Sequence, residues 1–495
     1  MNRLIQLNKA TAVFSVLLGL SCFWLSPLAY ALDPPPDGGY PNGNTAEGDG
    51  ALGSVTTGSL NTADGNGALG GLTTGTFNTA TGRLALGAIT TGTANTADGE
   101  EALRANTADA NTATGSAALF SNTTGGNNTA IGANALRINT TGSFNMASGS
   151  QALLSNTTAS GNTATGFQAL RDNTTGNGNT AHGAFALLSN TTGSNNAANG
   201  FQALQNNTTG VANTASGLEA LMSNITGVGN TAAGFVALLS NITGHRNTAN
   251  GAIALQNNTA GDNNTADGVA ALFSNTTGGN NTAIGELALE NNTGNGNVAL
   301  GFQAGNNATT GSGNVYIGTD MQGLAGESNA CYIASIFGQT SASGVAVLVN
   351  SNGKLGTPPS SRRYKEDITP MNNSSEALFS LKPVTFRYKK ELDPQGIQQW
   401  GLVAEDVAKV NPELVVQDKE GKPYTVRYEA VNAMLLNEFL KEHRKNERQV
   451  ATIAQQQKEI EALKAELKEQ AAQIQKVSAQ LELNKPAAQT VVNSH

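Results

Sequence analysis

The sequence predicts a mainly β solenoid, followed by a small α+β domain and a C-terminal coiled coil. Three observations carry this prediction. A unit close to N-T-A-x-G-x-x-A-L-x-x-N-T-T-G-x-x recurs from Asn44 onward in steps of 17 residues, shortened to 16 from Asn95 to Asn111 and from Asn281 to Asn297. The 495 residues include 58 glycines and are only 13% charged, unlike an ordinary globular domain. Residues 32–353 hold five arginines and no lysine, so 21 of the 28 basic residues lie from Lys354 onward. The chain therefore has two physical regimes, and its net charge of −8 describes neither.

The elements follow in chain order. Residues 1–31 form an export signal: Arg3 and Lys9 are basic, Ala10 to Leu28 is apolar, and Ala29-Tyr30-Ala31 is a small-x-small cleavage site. Removal would also take Cys22, leaving Cys331 without a disulfide partner and expected as a small buried apolar residue. Residues 32–43 are a Pro/Gly-rich leader. Beyond the signal no stretch is long and apolar enough to span a bilayer as a helix, so no stable membrane span is expected.

Residues 44–330 hold the repeats. A fixed period of this length means a solenoid. Frequent Gly, Asn and Thr disfavour helix, and each unit offers two short strand-like pieces between turns. Stacking places Asn over Asn and Thr over Thr, so side-chain ladders are expected along the axis. The many Asn-x-Thr triplets are taken as turn and ladder residues rather than glycosylation acceptors. Small Ala and one Leu per unit fill a narrow interior, and such a coil gains from packing with sister chains.

The array resembles the head repeats of trimeric autotransporter adhesins, on segments such as Asn128-Thr129-Ala130-Ile131-Gly132-Ala133-Asn134-Ala135 and Asn281-Thr282-Ala283-Ile284-Gly285. The resemblance implies a trimeric, left-handed parallel β-roll. No alternating-strand barrel segment follows the coiled coil, unlike that family, so self-anchoring is not carried over. Residues 331–359 hold an expected closing strand at Val345–Asn350 and a linker.

Residues 360–445 resemble the self-cleaving intramolecular chaperone domain of phage tailspikes and tail fibres, the endosialidase type. Three blocks carry the match: Ser360-Ser361-Arg362-Arg363-Tyr364-Lys365-Glu366-Asp367-Ile368, then Leu378 to Tyr388 around Lys382-Pro383-Val384, then Trp400 to Val407 continuing through Asn411-Pro412-Glu413-Leu414-Val415. The resemblance implies a Ser–Lys dyad that cuts Pro359–Ser360, with Ser360 as nucleophile and Lys365 as base. A serine hydroxyl needs a base, and a lysine serves where burial or neighbouring cations, here Arg362 and Arg363, disfavour its charged form. Residues five apart diverge on a helix and oppose on a strand, so a turn between them or a partner subunit is required. Pro359 makes the cut conformationally awkward, and Ser361 is an adjacent second hydroxyl. His443 is expected at the surface, and Glu405-Asp406 as helix N-terminal acids rather than metal ligands.

Residues 446–484 form the coiled coil. Ile453, Ile460, Leu467, Ile474 and Leu481 occupy a positions, and Gln456, Leu463, Gln470 and Val477 occupy d. Residues 485–495 are a tail. The composite expectation is a secreted or cell-surface homotrimeric fibre, without cofactor or metal, whose C-terminal domain chaperones assembly and acts once, in cis, as an autopeptidase. An uncleaved surface adhesin is the alternative. Its ligand, a cell surface or a glycan, is not identified by the sequence. A depolymerase is disfavoured because the array holds few carboxylates and aromatics. No basic cluster points to nucleic acid.

Overall fold

The computed structural model describes residues 40–339 and 341–484. The expected signal, most of the leader and the tail at residues 485–495 lie outside the described residues. The chain divides into two compact units at residues 339 and 340.

In the first unit every repeat contributes one three-residue strand, from Thr45–Glu47 to Cys331–Ile333, and these stack in parallel into one 18-stranded sheet. Like residues pair: Thr62 with Thr79, Ala63 with Ala80, Asp64 with Thr81. The middle Ala points inward and its neighbours outward, as strand alternation requires. Two strand-like pieces per unit were expected, and only one is a strand. The Ala-Leu segment is a turn whose leucine takes a left-handed conformation in turn after turn, as at Leu119 (φ 52°) and Leu136 (φ 51°). That conformation costs an L-residue roughly 1–2 kcal/mol. It is offset by complete burial of the leucine and by the bond from Leu119 N to Ala135 O at 2.9 Å.

Two asparagine ladders run through the interior. In the first, the backbone N–H of Asn78 donates to Asn61 Oδ1 at 3.0 Å, and Asn78 Nδ2 donates to Gly92 O at 2.8 Å. The second links Asn173 Nδ2 to Asn156 Oδ1 at 2.9 Å and Asn190 Nδ2 to Asn173 Oδ1 at 2.8 Å. These side chains lie wholly inside the coil, so the triplets that begin with them are structural. Outside, threonine hydroxyls donate to the carbonyl one turn on, as Thr73 does to Thr90 at 3.0 Å. The glycine after each strand sits against the next turn: a Cβ on Gly166 (φ +133°) would meet the Gly183 carbonyl at 2.6 Å.

The ends of the coil depart from the repeat. Val55, Leu72 and Ile89 occupy the second ladder's position before Asn106 begins it. At its other end Asn275 Oδ1 and Asn292 Nδ2 are buried without a partner, where the second 16-residue step interrupts the stacking. Tyr316 then replaces the strand's alanine, and Gly305 replaces the preceding leucine. A Cβ on Gly305 would lie 2.6 Å from the Tyr316 ring and 2.8 Å from Leu289, so the glycine makes room for the ring. Tyr332 stacks on Tyr316, with 5.8 Å between ring centres, and its hydroxyl donates to Glu327 at 2.6 Å. Cys331 is exposed rather than buried, because it stands at an outward strand position.

The parallel sheet ends at Ile333. Leu348–Val349, within the expected closing strand, instead pairs antiparallel with Leu355–Gly356 in the second unit. That unit is α+β. It holds the antiparallel pairs Val384–Phe386 with Gln399–Gly401 and Val415–Gln417 with Pro423–Val426. A short helix spans Ala404–Val410, with Glu405 and Asp406 in its first turn and Lys409 in its last, as the helix dipole favours. A 56-residue helix spans Tyr428–Leu483. Its core is small: Val407, Leu414, Val426, Val431 and Met434. Only the first turns of the long helix reach it, although the helix runs for about 84 Å at 1.5 Å per residue.

Candidate functional site

Ser360 and Lys365 flank a single 3₁₀ turn, Arg362–Tyr364. Ser361 is extended (φ −64°, ψ 139°), and its carbonyl accepts from Tyr364 N at 3.0 Å. The Arg362 carbonyl accepts from Lys365 N at 3.1 Å. A turn therefore lies between the two residues. The whole of residues 357–370 is exposed, and the Arg363 guanidinium rests on the Tyr364 ring at 4.7 Å. Among the described residues, neither the Ser360 hydroxyl nor the Lys365 amine has a side-chain hydrogen bond or ion pair. The single chain thus presents both groups on one short turn without joining them.

The unit also carries an apolar surface rather than a closed cavity. Leu378, Leu381, Trp400, Leu402, Val431 and Leu435 line a groove of about 710 Å³. Trp400 is 74% exposed, Phe379 75% and Tyr424 74%. These three aromatics are each larger than any of the five apolar side chains the unit buries. The sequence placed several of them inside motif blocks, but their outward orientation had no signature in the sequence.

A buried polar cluster pins the unit together and was missed by sequence reasoning. Ser375, fully buried, donates its hydroxyl to Glu438 and accepts from Asn437 Nδ2 at 2.6 Å. Lys441 Nζ meets the same Glu438 carboxylate at 2.7 Å. The Lys441 bond, then the Ser375 bond, hold the Glu438 carboxyl below the usual carboxylate range. This fastens the 3₁₀ segment Asn372–Ser380 to the long helix. Asn437-Glu438-Lys441 lie on one helical face, but nothing in the sequence ties them to a serine more than 60 residues earlier.

His443 is exposed on the long helix, 3.5 Å from Glu447. Among the described residues no group of three or more His, Cys, Asp or Glu is placed to hold a metal ion, and no helix is long and apolar enough to cross a membrane.

Comparison with known proteins bears on this unit. Residues 360–416 match the family described as chaperone of endosialidase. The chain is also 38% identical over 64 residues to the long tail fiber protein Gp37 of Escherichia phage AR1, which covers 12% of this chain and 6% of that protein. The shared segment is thus a small part of both chains. The matched region begins at Ser360 and takes in the turn, the Trp400 strand and the short helix, so the segment 360–416 is a chaperone-of-endosialidase domain, and it follows a β-solenoid.

Proposed function

We propose that this chain is an exported, homotrimeric fibre protein whose C-terminal unit assembles three copies in register and then cuts itself away at Pro359–Ser360. The observation that carries the assembly reading is the imbalance in that unit. It buries five apolar side chains and exposes Trp400, Phe379, Tyr424 and Phe439. Apolar surface of this extent marks an interaction site. On the long helix the a and d residues Ile453, Ile460, Leu463 and Leu467 are all exposed, as a coiled-coil seam without its partners would be.

Neutral Lys365 Nζ takes the Ser360 hydroxyl proton as Ser360 Oγ attacks the Pro359 carbonyl carbon. The C–N bond breaks, and the freed amine of Ser360 receives the proton from Lys365. An ester now joins Pro359 to Ser360 Oγ. Water opens it, leaving a carboxylate on Pro359 and a fragment that starts at Ser360. Assembly supplies what the single chain lacks, since packing of sister copies would cover the exposed turn and bring base and hydroxyl together. Loss of the assembling unit then leaves a fibre that cannot retrace its folding route.

The mass of the exported protein, wild type beside Ser360→Ala, tests the cut. A wild-type fragment beginning at Ser360 and missing in the variant supports it. An intact wild-type chain overturns it and leaves a permanent trimerisation domain on a surface adhesin. Pro359 and the unbonded Ser360 and Lys365 favour that second reading.

A further inference from the structure

The outward columns of the solenoid change character along its axis. On the strands, the third residue is Glu47, Asp64 and Asp98 in early turns, and Ile284, Leu300, Ile317 and Ile333 in the last ones, in one continuous register. Two residues further on, just past the turn glycine, early repeats carry Asp49, Arg83 and Glu100. From the eighth strand, Thr163–Thr165, the same position carries Phe167, Phe201, Leu218, Phe235 and Phe302, all exposed. Phe185 bridges Phe167 and Phe201 edge-to-face, at 5.4 and 5.8 Å between ring centres. Early exposed apolar residues, Leu60 and Phe77, stand instead just before the ladder asparagines, at the other end of the strand. An apolar stripe thus runs past the turn glycines from Phe167 to Val269 and continues on the strands from Ile284 to Ile333, with Glu286 and Thr319 beside its second part, over about 50 Å at roughly 4.8 Å per strand.

We infer that this stripe is where copies of the chain pack against one another in parallel register, and that the turns before Thr114 stay apart. The inference rests on the homotrimer proposed above and adds the face and the limits of contact. The occupant follows from geometry. A partner that follows the stripe over so many turns must repeat at the same rise, or its side chains fall out of step within a few strands. A second copy has that rise by construction. Its like residues then meet: Phe201 meets Phe201, and in early turns acid meets acid. Glu47, Asp49, Asp64 and Asp98 would repel their counterparts.

The test uses the full chain with Cys22→Ser and Cys331→Ser, carrying Phe201→Cys, Leu218→Cys or Arg83→Cys. All three positions are at the surface, so two independent stripe variants guard against a local folding defect. Native mass is measured first, then cross-linking with a short bis-maleimide. A trimeric mass with inter-chain cross-links at Phe201→Cys and Leu218→Cys, several-fold above Arg83→Cys, is expected. A trimeric mass with equal cross-linking at all three, or none on the stripe, overturns the inference and leaves the trimer standing. A monomeric mass overturns both.

Discussion

The two units solve the problem of burying polar backbone in opposite ways. In the solenoid, mid-shaft asparagines such as Asn173 are bonded to the turn before and the turn after, and the alanines and leucines between the ladders are fully enclosed by the chain's own coils. In the C-terminal unit, a handful of side chains are enclosed and the largest aromatics face outward. The first cross-section is complete in one chain, and the second is not. The difference has a consequence for folding. Near-identical turns can slip by one repeat at little cost, since each repeat offers the next the same partners. Register is marked only where the repeat is broken: at Leu72 and Ile89, at the 16-residue steps, and at Tyr316. On the assembly reading proposed above, a non-repetitive unit with an exposed apolar surface would supply what the repeats lack, a single way for chains to meet.

The sharpest way to break this comparison is to remove one ladder rung. Asn173→Ala takes away both donors to Asn156 Oδ1 and Gly176 O and the acceptor for Asn190 Nδ2. Asn190 Nδ2 keeps its bond to Gly193 O, so Asn156 Oδ1 and Gly176 O are the stranded groups, and at about 1–3 kcal/mol each a loss on the order of 2–6 kcal/mol is expected. Urea unfolding followed by circular dichroism reads it. A loss below about 1 kcal/mol would mean that ladder bonds are exchanged for water at little cost, and that the ladders do not hold the solenoid together.

The second prediction strikes the opposite unit. Trp400→Glu alters a residue that is mostly exposed in the single chain, so the folded unit should survive. Association should weaken by about 2 kcal/mol or more if the residue is an interface anchor. Sedimentation at matched concentrations reads association, and circular dichroism reads folding. Unchanged association would place the interface elsewhere on the unit.

A third change addresses the marked end of the shaft. Gly305→Ala drives a Cβ into Tyr316 and Leu289 at a backbone with φ +67°. Overpacking with backbone strain costs typically 1–3 kcal/mol. The effect should be local: hydrogen exchange at Cys331–Ile333 accelerates, while exchange near Asn173 is unchanged.

These three sites were unequally legible in the sequence. The ladder was legible because a fixed period forces like over like, and the outward-inward alternation of Thr-Ala-x follows from strand geometry alone. The single strand per turn was not, because a left-handed leucine breaks the usual preference and is sustained only by stacking. The Gly305 and Tyr316 pair was visible as two departures from the consensus, but their compensation is a contact between turns. In the C-terminal unit, the order of the motif blocks was legible, whereas the spacing of Ser360 and Lys365 left a turn or a partner subunit open, and the structure has a turn there. Trp400's exposure and the Ser375–Glu438 bond depend on how distant segments dock, which no local pattern encodes.

The smallest expected effect separates the units by pH. Amides do not titrate in the accessible range, so mid-shaft ladders should be indifferent to it. The Glu438 carboxyl is held low by Lys441 and Ser375, so its contribution to stability is present above the ordinary carboxylate range and is lost as pH falls through its depressed folded value. The Tyr332 hydroxyl, bonded to Glu327, is pushed up to about 12. A raised pKa means stability fully present below the ordinary tyrosine value, near 10, and lost as pH rises toward about 12. Acid should therefore loosen the C-terminal unit first, and alkali the end of the shaft, while the protected amides around Asn173 respond to neither. Hydrogen exchange across both pH ranges, with rates corrected for intrinsic pH dependence, reads all three regions at once. Loosening around Asn173 together with the C-terminal unit in acid would show that the two units unfold as one, and that the stability of the shaft depends on the C-terminal unit.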